Sequence, residues 1–161
     1  MFAAIGIGFG IGLAAVMASA QPAAQPPPLD EGAAQERCLA EGQNMDIAIA
    51  SIPPAQRRRI LSCLTGEAAR QLNARTPFQV QDGVTMTRVS AEGQTMTYEH
   101  RIDVDAAAVG ANGRAAIEAA VRANVCGARD MVQAIGNGAA FAYVFADRAG
   151  QPIHRFLIDR C

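Results

Sequence analysis

Residues 83–105 read GVTMTRVSAEGQTMTYEHRIDVD, and apolar and polar side chains alternate along this stretch. A period of two is typical of strands with one buried face. The segment 91–93 interrupts the alternation and favours a turn, so the stretch predicts a β-hairpin. On its second strand, the face assigned to the core carries Met96, Tyr98, His100, Ile102 and Val104. The opposite face carries Thr95, Thr97, Glu99, Arg101 and Asp103.

A second hairpin is predicted at the end of the sequence. The apolar runs AAFAYVF (139–145) and PIHRFLID (152–159) flank the segment 147–150, which reads DRAG. Aspartate and glycine at these positions favour a tight turn between antiparallel strands. The two hairpins together predict a four-stranded antiparallel sheet.

Helical spacing of apolar residues precedes each hairpin. The expected helices cover residues 31–52 and 54–75 before the first hairpin, and 113–126 and 128–135 before the second. Asp30 and Asn112 are placed to cap the first and third helices, and Pro53-Pro54 suits the start of the second. The sequence therefore predicts an α+β fold of order ααββααββ, with the helices packed on one face of the sheet.

The first twenty residues contain no charge and end in Ala18-Ser19-Ala20, a pattern that signal peptidases accept. We therefore expect a signal peptide over 1–20, a Pro-rich linker over 21–29 and a single domain over 30–161. The apolar run is also long enough to cross a membrane. An uncleaved N-terminal anchor is the alternative interpretation.

The chain has four cysteines, and an even number in an exported chain favours disulfides. Cys38 and Cys63 fall in the first two predicted helices, Cys126 ends the third, and Cys161 follows the last strand. Of the three possible connectivities, the local one, Cys38–Cys63 with Cys126–Cys161, fits these elements best. A C-x-x-C redox pair is absent, and the spacing matches no structural zinc site.

The charges are unevenly distributed. Residues 30–46 hold five acidic residues and one arginine, whereas residues 57–75 hold five arginines and one glutamate. We therefore expect the first two helices to lie against each other. The triplet Arg57-Arg58-Arg59 then has two interpretations: a solvated face that complements the acidic helix, or a docking site for an acidic partner or a membrane surface. With a net charge of −1, the chain lacks the excess of basic residues that is typical of nucleic-acid-binding domains.

The only histidines are His100 and His154, and strand parity places both toward the helix-covered side. If their strands are neighbours, the imidazoles could meet and form a metal or acid/base site with Glu99 or Asp103. The alternative is two hydrogen-bonded histidines without a ligand. No cofactor is expected. The outward strand positions form a polar platform, so Glu99 and Arg101 are candidates for partner binding, and their neighbour Tyr98 on the core face is a third candidate.

The segments TYEHRIDVD, ANVC and FAYVFADRAGQPIHRFLIDRC carry a family resemblance. Residues 84–161 resemble small exported bacterial proteins of uncharacterised function, some of which are grouped as quorum-sensing-regulated virulence factors with a compact α+β fold. The resemblance implies export and the Cys126–Cys161 bond, and it supplies no active-site residues.

Three classes of function remain at this point. The leading one is a non-enzymatic periplasmic or secreted module of the bacterial envelope that binds another envelope or extracellular protein. The second is a small metal-dependent or acid/base enzyme that uses His100 and His154. The third is a membrane-tethered structural protein that retains its N-terminal helix.

Overall fold

The fold is taken from a computed structural model that describes residues 29–39 and 51–161. The predicted signal peptide, all but the last residue of the predicted linker and much of the first predicted helix lie outside the described residues.

Four helices and five strands make up the described chain. The helices are α1 (Glu31–Cys38), α2 (Pro54–Asn73), α3 (Ala111–Gly127) and α4 (Arg129–Gly136). The strands are β1 (Phe78–Gln81), β2 (Val84–Glu92), β3 (Thr95–Ile102), β4 (Ala140–Ala146) and β5 (Pro152–Ile158). The 3-10 turn Ala106–Ala108 precedes α3. The α+β class and both hairpins agree with the sequence analysis.

The expected four-stranded antiparallel sheet is wrong in two respects. The sheet has five strands in the order β1-β2-β3-β4-β5, and β3 pairs with β4 in parallel. The additional strand, β1, has only four residues, three of them exposed, so its apolar and polar alternation is too short to predict a strand. The parallel pair arises because α3 and α4 form a crossover that returns the chain to the same end of the sheet.

The helix starts follow local sequence in all but one place, whereas α1 ends at Cys38 and not at residue 52 as expected. The Asp30 Oδ1 atom accepts a hydrogen bond of 3.0 Å from the Ala33 amide, as a capping residue does. Pro54 opens α2 as expected. The exception is α3, which begins at Ala111 after an extended Gly110, so Asn112 lies inside the helix and is not its cap.

The sheet has two chemically different faces. Pairing across the strands places one apolar set on a common side, which we call the covered face: Met96, Tyr98, His100, Phe141, Tyr143, Phe145, His154, Phe156 and Ile158. Ala69 of α2 and Val125 of α3 are buried with this set in one core. Burial of these large side chains is the main favourable term in folding.

The opposite side, which we call the open face, carries the alternate residues of the same strands. They are Arg88, Ser90, Glu92, Thr95, Thr97, Glu99, Arg101, Ala140, Ala142, Val144, Ala146, Arg155 and Leu157. Leu157 is 48% exposed, although it is a large apolar residue. Alternate residues of each strand therefore lie on opposite faces of the sheet, as the sequence pattern predicts.

α1 packs antiparallel on α2. A disulfide joins Cys38 to Cys63, and at the other end the Asp30 amide donates to the Gln71 side chain at 2.7 Å. Between these points Arg37 forms an ion pair of 2.8 Å with Glu67. The helices therefore lie together as expected, but the ion pair runs from the basic residue of α1 to the acidic residue of α2.

Candidate functional site

A groove on the open face crosses β4 at Ala142 and has a volume of about 640 Å³. Its floor is Ala142, a small residue set between longer side chains on both neighbouring strands. Thr95 and Thr97 of β3 line one wall, and Arg155 and Leu157 of β5 line the other. Adjacent strands lie about 4.8 Å apart, so the walls stand about 10 Å from each other. The groove admits one row of side chains from a partner.

The charges around the groove are mostly unpaired. Arg88 and Glu99 approach each other at 3.9 Å across β2 and β3. Among the described residues, no ion pair includes Arg101 or Arg155. The predicted platform residues Glu99 and Arg101 both lie on this face.

Tyr98 lies on the covered face, away from Glu99 and Arg101. Its ring stacks on Tyr143 with centroids 5.2 Å apart. Burial raises the pKa of the Tyr98 hydroxyl, and burial raises the pKa of Tyr143 to about 12. The structure therefore places Tyr98 in the core and separates it from the two polar candidates.

The two histidines do not meet. His100 is on β3 and His154 is on β5, and Phe145 of the intervening strand β4 pairs with both. Their strands are therefore not neighbours, which was the condition for a shared site. Glu99 projects from the other side of β3. Among the residues that the structure describes, no group of three His, Cys, Asp or Glu side chains is placed to hold a metal ion.

His100 is a buried imidazole within an aromatic stack. It is 7% exposed, and its ring lies 4.9 Å from that of Phe145. Its Nδ1 atom is buried and has no hydrogen-bond partner among the described residues. Burial lowers the pKa of His100 to about 4, so the ring is neutral near pH 7.

His154 has a partner that was not foreseen. Its Nε2 atom lies 3.0 Å from Glu118 Oε2 on α3, and Glu118 also pairs with Arg122 at 3.3 Å. The hydrogen bond from His154 is the main reason that the pKa of Glu118 is lowered. This polar chain fastens α3 to β5.

The arginine triplet lies near the start of α2. Arg57 is half-buried, and Arg58 and Arg59 are exposed. Within residues 29–39 and 51–161, no ion pair includes any of the three. None of the three arginines lines the groove.

Three groove residues, Ala142, Arg155 and Leu157, were missed by the sequence analysis. The alternation in 139–145 and 152–159 contains the signal, because these residues alternate with the aromatic positions of their strands. Glu118 could have been noticed through its spacing of four from Arg122 on one helix. Its pairing with His154 depends on tertiary packing and has no local signal.

Comparison with known proteins gives structural likeness and no family assignment. No protein-family model and no curated protein matches the sequence. The structure is similar to that of a candidate secreted protein from Pseudomonas aeruginosa, with 18% identity, a TM-score of 0.56, and coverage of 64% of this chain and 92% of that chain.

Two further similar structures are pilotins of type II secretion systems. EpsS from Vibrio vulnificus has 14% identity and a TM-score of 0.57, over 65% of this chain and 92% of that chain. AspS from Vibrio cholerae has 19% identity and a TM-score of 0.53, over 65% of this chain and 93% of that chain. The likeness shows a common fold.

These neighbours agree with the expected resemblance to small exported bacterial proteins, and none of the three is described as a quorum-sensing-regulated factor. In the described part of the chain, no helix combines the length and apolar character that a membrane span requires.

Proposed function

We propose that this protein is an exported, non-enzymatic accessory module that binds a protein component of a bacterial envelope assembly. A secretion system is the kind of assembly we propose, because two proteins with this fold are described as secretion pilotins. Two disulfides in a small domain support export to an oxidising compartment.

The observation that carries the proposal is the groove on the open face. A large exposed apolar residue, Leu157, lies beside an alanine floor and an arginine, Arg155. Protein interfaces combine an apolar centre with a polar rim, and arginine is enriched in them. Glu92 and Arg155 are the charged residues that line the groove, and Glu99 and Arg101 lie farther along the same face.

Site-specific photocrosslinking in the native bacterium tests this function. A photoreactive side chain at Thr97 in the groove is expected to give one dominant adduct with an envelope protein. The same group at Ala115, an exposed position on α3, is the matched control and gives no such adduct. The change Leu157→Asp should abolish the adduct while the purified variant keeps its unfolding transition. Equal adducts from both positions, or none from either, would contradict the proposal.

Cleavage before Gln21 is a separate proposal with its own test. N-terminal sequencing of the exported protein is expected to begin at Gln21. A chain that still begins at Met1 would instead support the tethered alternative.

A further inference from the structure

The arginine triplet lies on a part of α2 that extends beyond the sheet. The Thr65 hydroxyl donates to the carbonyl of Gly93 in the β2–β3 turn at 2.8 Å, and Asn73 at the end of the helix accepts from the Val89 amide at 3.1 Å. α2 therefore runs antiparallel to β2 and passes the edge of the sheet near Thr65. Arg58 is seven residues earlier, which places it about 10 Å past that edge at 1.5 Å per residue.

The acidic helix α1 does not neutralise the triplet. Its contacts with α2 run from the Asp30–Gln71 hydrogen bonds to the Cys38–Cys63 disulfide, all on the C-terminal side of the arginines. Where the side chains of the two helices are described, the ion pair between them joins Arg37 to Glu67. We expected the first helix to complement the triplet. The described residues of α1 contact α2 elsewhere and do not pair with these arginines.

The position of the triplet is electrostatically unfavourable with respect to the described residues around it. The start of a helix carries a partial positive charge, so cations there are disfavoured and anions are favoured. The first turn of α2 contains no acidic residue. An external carboxylate would relieve both the mutual repulsion of the arginines and their repulsion from the helix start.

The chain enters the domain at the other end of α2. Asp30 is held at Gln71, thirteen residues from Arg58, which corresponds to about 20 Å along the helix. The chain ahead of Asp30 therefore joins α2 at the end opposite the triplet and leaves the arginines accessible to a protein partner. Lipid headgroups are the alternative occupant that the experiment below tests.

We propose that Arg57, Arg58 and Arg59 form a second docking surface that binds an acidic segment of the partner protein. The inference rests on the proposed accessory function and names the partner chemistry at a surface distinct from the groove. Guanidinium groups bind carboxylates through paired hydrogen bonds, so an acidic segment has both the charge and the geometry required.

Fluorescence anisotropy of the full chain with a labelled peptide of alternating glutamate and serine tests this surface. The variant with all three arginines changed to glutamine is expected to bind about tenfold more weakly, because each exposed pair contributes a few-fold. The matched control changes Arg114, Arg129 and Arg160 to glutamine, which removes the same charge at exposed positions outside both surfaces and should leave peptide binding unchanged. Binding to the native chain should weaken as salt is raised.

Three outcomes would overturn the inference: no peptide binding by the native chain, equal weakening in both triple variants, or preferential binding to phosphatidylglycerol vesicles. The changes Glu41→Gln and Asp46→Asn, made together, add a check from within the chain. If these changes greatly increase peptide affinity, the arginines pair with acidic residues of the same chain, and the inference fails. If Thr97 still crosslinks to an envelope protein, only this inference fails, and the proposed function stands.

Discussion

The side chain of His100 is a destabilising feature of the core. A buried polar atom without a partner costs about 1–3 kcal/mol, and Nδ1 of His100 is such an atom. We expect His100→Phe to raise the free energy of unfolding by about 1 kcal/mol at pH 7, since a phenyl ring preserves the stack with Phe145. Urea unfolding measures it. His154→Phe is the control and should lose stability, because it breaks the bond to Glu118. The reverse order of the two variants would contradict this assignment.

The stability of the protein should fall on mild acidification through the same residue. The pKa of His100 is lowered by burial from 6.5 to about 4, so between these values the unfolded chain binds a proton that the folded chain does not. Above pH 6.5 the protonation of His100 does not reduce the free energy of unfolding. As the pH falls from 6.5 toward 4, that free energy drops by up to about 3 kcal/mol. Urea midpoints of the native chain and His100→Phe, measured from pH 7 to pH 4, should diverge. Parallel curves would show that another group causes the acid sensitivity.

At the scale of the elements, replacing two glycines by alanine should change stability in opposite directions. Gly138 follows α4 with φ +103, and a Cβ there would lie 3.1 Å from the side-chain amide nitrogen of Gln94. Gly138→Ala should therefore lower the free energy of unfolding by about 1–2 kcal/mol. Gly66 lies in α2 with open space around it, so Gly66→Ala should stabilise by about 0.5–1 kcal/mol. Thermal unfolding of both variants measures the effects, and shifts of the same sign would refute the backbone argument.

The elements were predictable where their signals are local. Each hairpin contains its own alternation and turn, and α2 contains its own proline start and apolar stripe. β1 escaped prediction because it has only four residues, so its alternation of Phe78 and Val80 with two glutamines is too short to mark a strand. The parallel pairing of β3 with β4 was not predictable, because it depends on how the α3–α4 crossover packs and on no residue of either strand alone.

At the level of the whole molecule, the two disulfides should account for a large share of stability. They close loops with sequence separations of 25 and 35, and the chain-entropy model assigns about 3–4 kcal/mol to each. We expect serine replacement of either pair to lower the urea midpoint, and replacement of both pairs to lower it further. Reductant should reproduce the loss in the native chain and leave the four-serine variant unchanged. An unchanged midpoint under reductant would contradict a stabilising role.

The candidate site was only partly visible in the sequence. Glu99 and Arg101 were placed correctly on the open face because parity within a strand is local. The groove required the register between β3, β4 and β5, which brings Thr97, Ala142 and Leu157 into one row. The expected meeting of His100 and His154 failed for the same reason, since strand order decides which side chains are neighbours.

The antiparallel packing of α1 on α2 has a mechanical consequence. Force applied to the chain ahead of Asp30 would first break its hydrogen bonds to Gln71 and then the ion pair of Arg37 with Glu67, peeling the short helix away one contact at a time. The peeling ends at Cys38, because a covalent bond to Cys63 carries the load from there directly into α2. The sheet and its groove are thereby shielded from tension on the N-terminal segment.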